Sequence, residues 1–216
     1  MILWDVYMKT KIFLIRHGQS VGNLTGHYLG HTDLSLTELG QQQAKATAEA
    51  LKNEKIDAIY SSDLKRAHET AIPHAEMRNL PINDSKELRE IYLGDFEGAC
   101  LKELKEKHVE DFVIPWYDHF GTYRFPNGES VIEATTRFYN EVFRIALENL
   151  GKCILITAHA AVIRGFWCKI NGCIPEGYAQ AFNFPTNASY SVLYFDGEKF
   201  IAQSYSVDSH LNSEVL

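Results

Sequence analysis

Two runs of strand length, KIFLI at residues 11–15 and CILIT at residues 153–157, are apolar at nearly every position. A strand with one face in water alternates apolar and polar residues, so an unbroken apolar run belongs to a strand covered on both faces. A sheet sandwiched between helices provides that environment. Each run then turns polar almost without a spacer: Arg16-His17-Gly18 follows the first, and Ala158-His159 the second. The strands are rigid posts, and their ends carry a cation and imidazoles.

The remaining pattern agrees with a layered α/β fold. Ser35-Leu36-Thr37-Glu38 fits a capping box, with Leu34 and Leu39 placed for a hydrophobic staple, and predicts a helix to about Leu51 or Lys52. DAIYSSD at residues 57–63 reads as a second strand. The helix after it starts near Leu64 with Asp63 as N-cap, and Pro73 kinks or interrupts it. A third extended stretch covers Ile82 to Glu90, followed by two weaker helical segments between Leu101 and Phe120. In residues 128–151, Val131, Thr135, Phe138, Val142 and Ile145 share one helical face, and Gly151 closes the helix. Asp196-Gly197 marks a hairpin turn. Strands alternating with helices predict a three-layer α/β/α sandwich with a mostly parallel sheet. With no repeat, low-complexity tract or flexible linker, one domain spans residues 1–216, and residues 1–9 read as an N-terminal arm, with Met8 as an alternative start.

Bulk properties narrow the function. The net charge of −7, from 21 basic and 28 acidic side chains, argues against nucleic acid or an anionic membrane as the partner. No apolar run approaches the ~20 residues of a membrane span. The four cysteines (Cys100, Cys153, Cys168, Cys173) show no C-x-x-C spacing, and no export signal precedes them. Reduced thiols in a cytoplasmic protein are the reading. An anionic substrate would need a local pocket that attracts it against the global charge.

The strand ends supply such a pocket. In open α/β sheets ligands bind outside the carboxyl ends of the strands. The first strand delivers Arg16 and His17 there, the second is followed by Arg66 in the first turn of a helix, and the strand at Cys153 delivers His159. Two arginines with helix N-termini suit a phosphate, whose equatorial oxygens they can surround. An imidazole in that setting can attack phosphorus and carry the phosphoryl group. Its free pKa is about 6.5, and nearby cations favour the neutral, nucleophilic form. Singly, each residue has a plainer use as a hydrogen-bonder or solvated helix residue; their shared edge makes the joint reading.

The other histidines compete poorly. His27 and His31 stand four apart, but surrounding glycines deny them the helix a metal pair would need. The direction of His68 relative to Arg66 is open. His74, His108, His119 and His210 read as surface residues. No nucleotide-binding GxxxxGK[ST] loop and no esterase GxSxG elbow is present, and no metal site or cofactor is indicated.

RHGQSVGN, DLSLTELGQQQA, YSSDLKRAHETA, LREIYLGDFEG, PNGES, ITAHAAVIRGF and NASYSVLYFDG follow one another between Lys11 and Tyr205. In that order and spacing they resemble the histidine phosphatase superfamily, in its phosphoglycerate-mutase-like branch. The resemblance implies that Arg16 and Arg66 hold a phosphate, that His17 is the nucleophile, and that His159 contributes to the phosphate site. It places Asn23 at the pocket lining and Glu90 as proton donor, a choice the residues alone leave open among Glu87, Glu90, Asp95 and Glu97. The chemistry needs such a group, first to protonate the leaving alkoxide and then to activate water. Ala160 stands where the family has Gly, and Ala158 where a hydroxyl residue is usual.

The mutases of this branch clamp their acidic substrate with a lysine and an arginine pair. Here Leu101 lies near the lysine position, with Lys102 beside it, and the region after Trp116 has no adjacent arginines. A phosphomonoester hydrolase acting on a small phosphorylated metabolite, without a metal, is the reading implied. A phosphoglycerate mutase and a catalytically silent phosphate-binding module are the alternatives. About residues 100–128 form a variable cap insertion. Trp116, Tyr117, Phe120, Tyr123 and Phe125 crowd it, either as an aromatic wall for a bulky substrate or as a second small core.

Overall fold

The computed structural model describes residues 9–211, so the expected N-terminal arm lies outside the described residues except for Lys9. The chain runs β1 (Thr10–Arg16), α1 (Val21–Thr25), α2 (Glu38–Ala50), β2 (Ala58–Ser62), α3 (Lys65–Arg78) and β3 (Ile82–Ser85). It continues through α4 (Leu101–Lys107), α5 (Ile114–Asp118), α6 (Val131–Glu148), β4 (Cys153–Ala158), α7 (Ala160–Ile170), α8 (Tyr178–Ala181), β5 (Tyr190–Phe195) and β6 (Phe200–Val207). The six strands form one sheet in the order β3-β2-β4-β1-β5-β6. The first four are parallel, and the hairpin β5–β6 adds an antiparallel edge.

The unbroken apolar runs now have their cause. Successive side chains of β1 and β4 enter opposite layers: Ile12, Leu14, Ile154 and Ile156 pack with Phe138, Val142 and Phe166 of α6 and α7. Phe13, Ile15 and Leu155 pack with Leu51, Ala71 and Ala75 on the face covered by α2 and α3. Burying each such side chain stabilises the fold by about 1.5–3 kcal/mol, and the buried polar residues of these two strands, Thr10 and Thr157, have their hydroxyls hydrogen-bonded. The expected α6 stripe is the buried one, since Val131, Thr135, Phe138, Val142 and Ile145 all face inward. Ser130 and Glu133 form a capping box at its start.

Local starts differ from the expectation in two places. The N-cap of α2 is Thr37, whose hydroxyl accepts from Gly40 N–H, rather than Ser35 paired with Glu38. The α3 helix starts after Leu64 without a side-chain cap of its own. Asp63 is engaged elsewhere, accepting from Arg89 Nε and Nη2 at 2.6 Å each, and Asp33 from a distant loop accepts Lys65 N–H at 2.7 Å instead. Pro73 does not interrupt α3; the buried Thr70, Ala71, His74 and Ala75 hold the turns on either side of it to the sheet.

Within the stretch expected as a cap, Trp116, Phe120, Tyr123 and Phe125 are buried and pack edge-on or tilted against one another. They do not form a separate second core: they are continuous with the core on the α6 and α7 face of the sheet, and Trp116 and Tyr117 also wall a cleft. No helix among the described residues is long and apolar enough to cross a membrane.

Candidate active site

The cleft, about 310 Å³ in volume, opens at the carboxyl ends of the parallel strands, and Arg16, His17, Asn23, Arg66 and Glu90 all line it. His159 stands behind His17, fully buried, with the ring centroids 5.2 Å apart in an edge-on arrangement. The adjacency of β1 and β4 in the sheet brings these two histidines together across the chain.

His17 is oriented by its neighbour. Its Nδ1 lies 2.7 Å from the Gly18 carbonyl oxygen, which can only accept, so Nδ1 carries the proton. The neutral ring then has its lone pair on Nε2. Burial, then Arg66 and Arg16, hold the His17 pKa well below its ordinary value. The turn that carries it is tightly seated: a Cβ on Gly18 would stand 2.5 Å from the Gly40 carbonyl oxygen. That contact requires glycine.

Among the described residues neither arginine is in a salt bridge. Arg66, 1 % exposed, donates to the carbonyl oxygens of Thr32, Gly30 and Leu29. Arg16 donates to Pro185 O at 2.6 Å, and its buried Nε has no partner. Burial lowers each guanidinium to about 10, opposed by the attraction of Glu90. Two desolvated cations held by carbonyls rather than carboxylates leave a deficit that a bound anion would relieve. Around Asn23, the Ser20 N–H, the Ser20 hydroxyl and Asn187 Nδ2 all converge on Oδ1, which leaves its own Nδ2 free to donate.

Of the four candidate carboxylates, Glu90 alone lines the cleft. Its Oε1 accepts from Ile91 and Val162 N–H at 3.0 and 3.1 Å, and Oε2 accepts from Ala161 N–H at 3.0 Å. The carboxylate thus sits on the N-terminus of α7, where its charge complements the helix dipole. Glu97 spends both oxygens on His31, Thr32 and Leu93. Asp95 accepts from Asn127, and Glu87 is exposed. The main-chain oxygen of Glu90 is itself gripped by Arg137 and His31.

Ala160 adopts ordinary helical backbone as the first residue of α7 and lines the cleft, so its methyl meets the ligand space without backbone strain. His27 and His31 turn to Thr25 and to Glu90 O, not to a common point. His68 points to Asp84. The surface reading fails for His74, which is fully buried with both ring nitrogens unpartnered, and for His210, half-buried against Thr47. Three residues escaped the sequence reading. Ser62 meets His159, Asn187 bridges His17 O and Asn23, and Phe184 closes the wall beside Trp116.

A doubly wound sheet with a pair of buried, carbonyl-bound arginines around a nucleophile-ready imidazole defines a phosphate-handling enzyme. Comparison with known proteins fixes the family: residues 12–208 match the model of the histidine phosphatase superfamily (branch 1). Phosphoserine phosphatase 1 of Hydrogenobacter thermophilus is 31% identical over 93% of this chain and 94% of its own length. The metal-independent phosphoserine phosphatase of Arabidopsis thaliana is 32% identical over 94% of this chain and 84% of its own. Among solved structures, Bacillus stearothermophilus YhfR superposes with a TM-score of 0.87 at 28% identity, covering 93% of this chain and 98% of that one. The chain belongs to the histidine phosphatase superfamily, and its class is that of a phosphomonoester hydrolase.

Proposed function

We propose that this cleft hydrolyses a small phosphomonoester through a phosphohistidine on His17. The observation that carries the reading is the Nδ1–H bond to Gly18 O, which leaves the Nε2 lone pair beside two cations hydrogen-bonded to carbonyl oxygens. Arg16 and Arg66 hold the equatorial oxygens and Asn23 Nδ2 supports them at the rim. The Nε2 lone pair forms a bond to phosphorus, and the ester P–O bond breaks with its electron pair on the leaving oxygen. Glu90, entering this step as the carboxylic acid, gives that oxygen its proton and is left as carboxylate. As carboxylate, Glu90 then takes a proton from water while the water oxygen attacks phosphorus; the P–N bond breaks and returns its pair to Nε2. Oε2 is the oxygen suited to this exchange, because it receives one N–H where Oε1 receives two.

One domain carries the reaction, with residues 100–128 as its cap. The wall that receives the leaving group is Leu29, Ile91, Leu93, Leu101, Trp116 and Phe184, joined by the Tyr28 and Tyr117 hydroxyls, 2.8 Å apart. Lys102 is exposed and does not line it. With no lysine or arginine there among the described residues beyond Arg16 and Arg66, hydrolysis of an uncharged alcohol phosphate suits the cleft better than mutase chemistry on a phosphoglycerate. The named relatives include phosphoserine and glucosyl-3-phosphoglycerate phosphatases, so the substrate class is drawn from small phosphorylated metabolites. Among the described residues no group of three His, Cys, Asp or Glu is placed to hold a metal ion, and arginine supplies the charge. Four unpaired thiols suit a reducing cytoplasm. The test is His17→Ala assayed on an aryl phosphate: turnover falls to background with an unchanged circular dichroism spectrum. Near-normal turnover would remove the nucleophile.

A further inference from the structure

The two ring nitrogens of buried His159 meet different surroundings. Nε2 lies 2.8 Å from the Ser62 hydroxyl, which is also fully buried. Nδ1 is buried and has no partner among the described residues. The Ser62 oxygen has one further neighbour, Leu64 N–H at 3.4 Å, which can only donate to it. Burial, with Arg66 next in weight, keeps His159 neutral, so one proton is shared between its two nitrogens.

Two arrangements are open. With the proton on Nε2, that nitrogen donates to Ser62 Oγ. The Ser62 proton is then left without an acceptor, and Nδ1 is a buried bare lone pair. With the proton on Nδ1, Ser62 donates to Nε2 while its oxygen stays available to Leu64 N–H. Only Nδ1–H is then unpaired. The second arrangement leaves one buried polar group unsatisfied rather than two, and buried polar groups are rarely left so.

We propose that Ser62 is a positioning residue that fixes His159 as the Nδ1–H tautomer, so that a neutral donor faces the phosphoryl oxygens beside His17. The assignment rests on the phosphate-site reading above and adds to it the reason for the serine at the end of β2. The opposite tautomer would turn a lone pair toward the anion and repel it. A neutral donor is also the better choice beside a nucleophile, because a third cation would draw further on the His17 lone pair.

Full-length protein labelled with 15N-histidine tests this by long-range proton–nitrogen spectra, with inorganic phosphate as the probe. The wild type should show His159 protonated on Nδ1, with that nitrogen shifting when phosphate is added. Ser62→Ala should give a mixture of tautomers, weaken phosphate binding by about 2- to 10-fold, and lower kcat/KM by a similar factor. Ser62→Thr, which restores the hydroxyl, should recover all three. An Nε2–H tautomer in the wild type overturns the proposal, and this reading needs no variant to fold. So does an unchanged tautomer and phosphate affinity in Ser62→Ala. If phosphate shifts neither His17 nor His159, the phosphate-site reading itself fails, whatever tautomer His159 shows.

Discussion

Glu90→Gln separates two contributions of one side chain. The amide keeps the size of the carboxylate, but only one of its two polar atoms can accept. Its oxygen best takes the Oε1 position, where Ile91 and Val162 N–H both donate, at 3.0 and 3.1 Å. The amide nitrogen then faces Ala161 N–H, donor against donor, across the 3.0 Å that Oε2 now spans. Loss of one charge-assisted bond costs about 1.5–3 kcal/mol, read as a lower midpoint in chemical denaturation with an unchanged slope. The catalytic loss is separate and depends on the leaving group. An alkyl phosphate, whose alkoxide needs a proton to leave, should slow by about 10²–10⁴-fold. An aryl phosphate should phosphorylate His17 with a smaller loss and then stall, because water attack lacks its base. Rapid-quench kinetics on the two substrates should show a burst with the aryl ester alone. Equal losses for both substrates with no burst would refute the acid–base assignment, since no other candidate carboxylate lines the cleft.

Further outcomes follow from the same geometry. His17, His74 and His159 are buried with pKa values held below 6.5 in the folded state, His74 at about 3 chiefly through burial. The unfolded chain therefore binds more protons below pH 6.5. Stability is full above that pH and falls as pH drops toward the folded values, by about 1.4 kcal/mol per pH unit for each histidine. Denaturation midpoints from pH 7 to 4 should show it, and His74→Leu should flatten the slope; a pH-independent midpoint contradicts these burials. Activity should survive exhaustive chelation, and recovery only on adding a divalent ion would count against the arginine-based site. On a panel of phosphorylated metabolites, uncharged alcohol phosphates should exceed phosphoglycerate isomerisation in kcat/KM; dominant mutase turnover would reverse the reading of the cleft wall.

How much of this was legible in the sequence depends on the range over which each residue acts. The β1 and β4 posts could be read because both faces of each are buried, so the apolar run is continuous and its polar end abrupt. Arg16, His17, Arg66 and His159 follow from that, as residues attached directly to strand or helix ends. Glu90 required the resemblance: what sets it apart from Glu97 is which backbone N–H groups each carboxylate meets, and those lie 71 residues away in Ala161 for one and 66 away in His31 for the other. The Asp63 cap was misread because a distant aspartate, Asp33, supplies the acceptor. His74 was misread because one polar residue on a helix does not reveal that its face turns inward. Ser62 and Asn187 stay silent in the sequence for a similar reason, their partners being 97 and 170 residues away.

The central claim is a covalent phosphoryl group on Nε2 of His17. The most direct measurement mixes the enzyme with an aryl phosphate, quenches within milliseconds into base, where phosphohistidine survives, and maps the phosphorylated peptide by mass spectrometry. Glu90→Gln serves as the variant in which the species accumulates. The account predicts one phosphoryl group on the peptide that carries His17, lost on acid treatment and absent from His17→Ala. Turnover by the wild type with no phosphoenzyme in either protein, or a phosphoryl group on another residue, would contradict it.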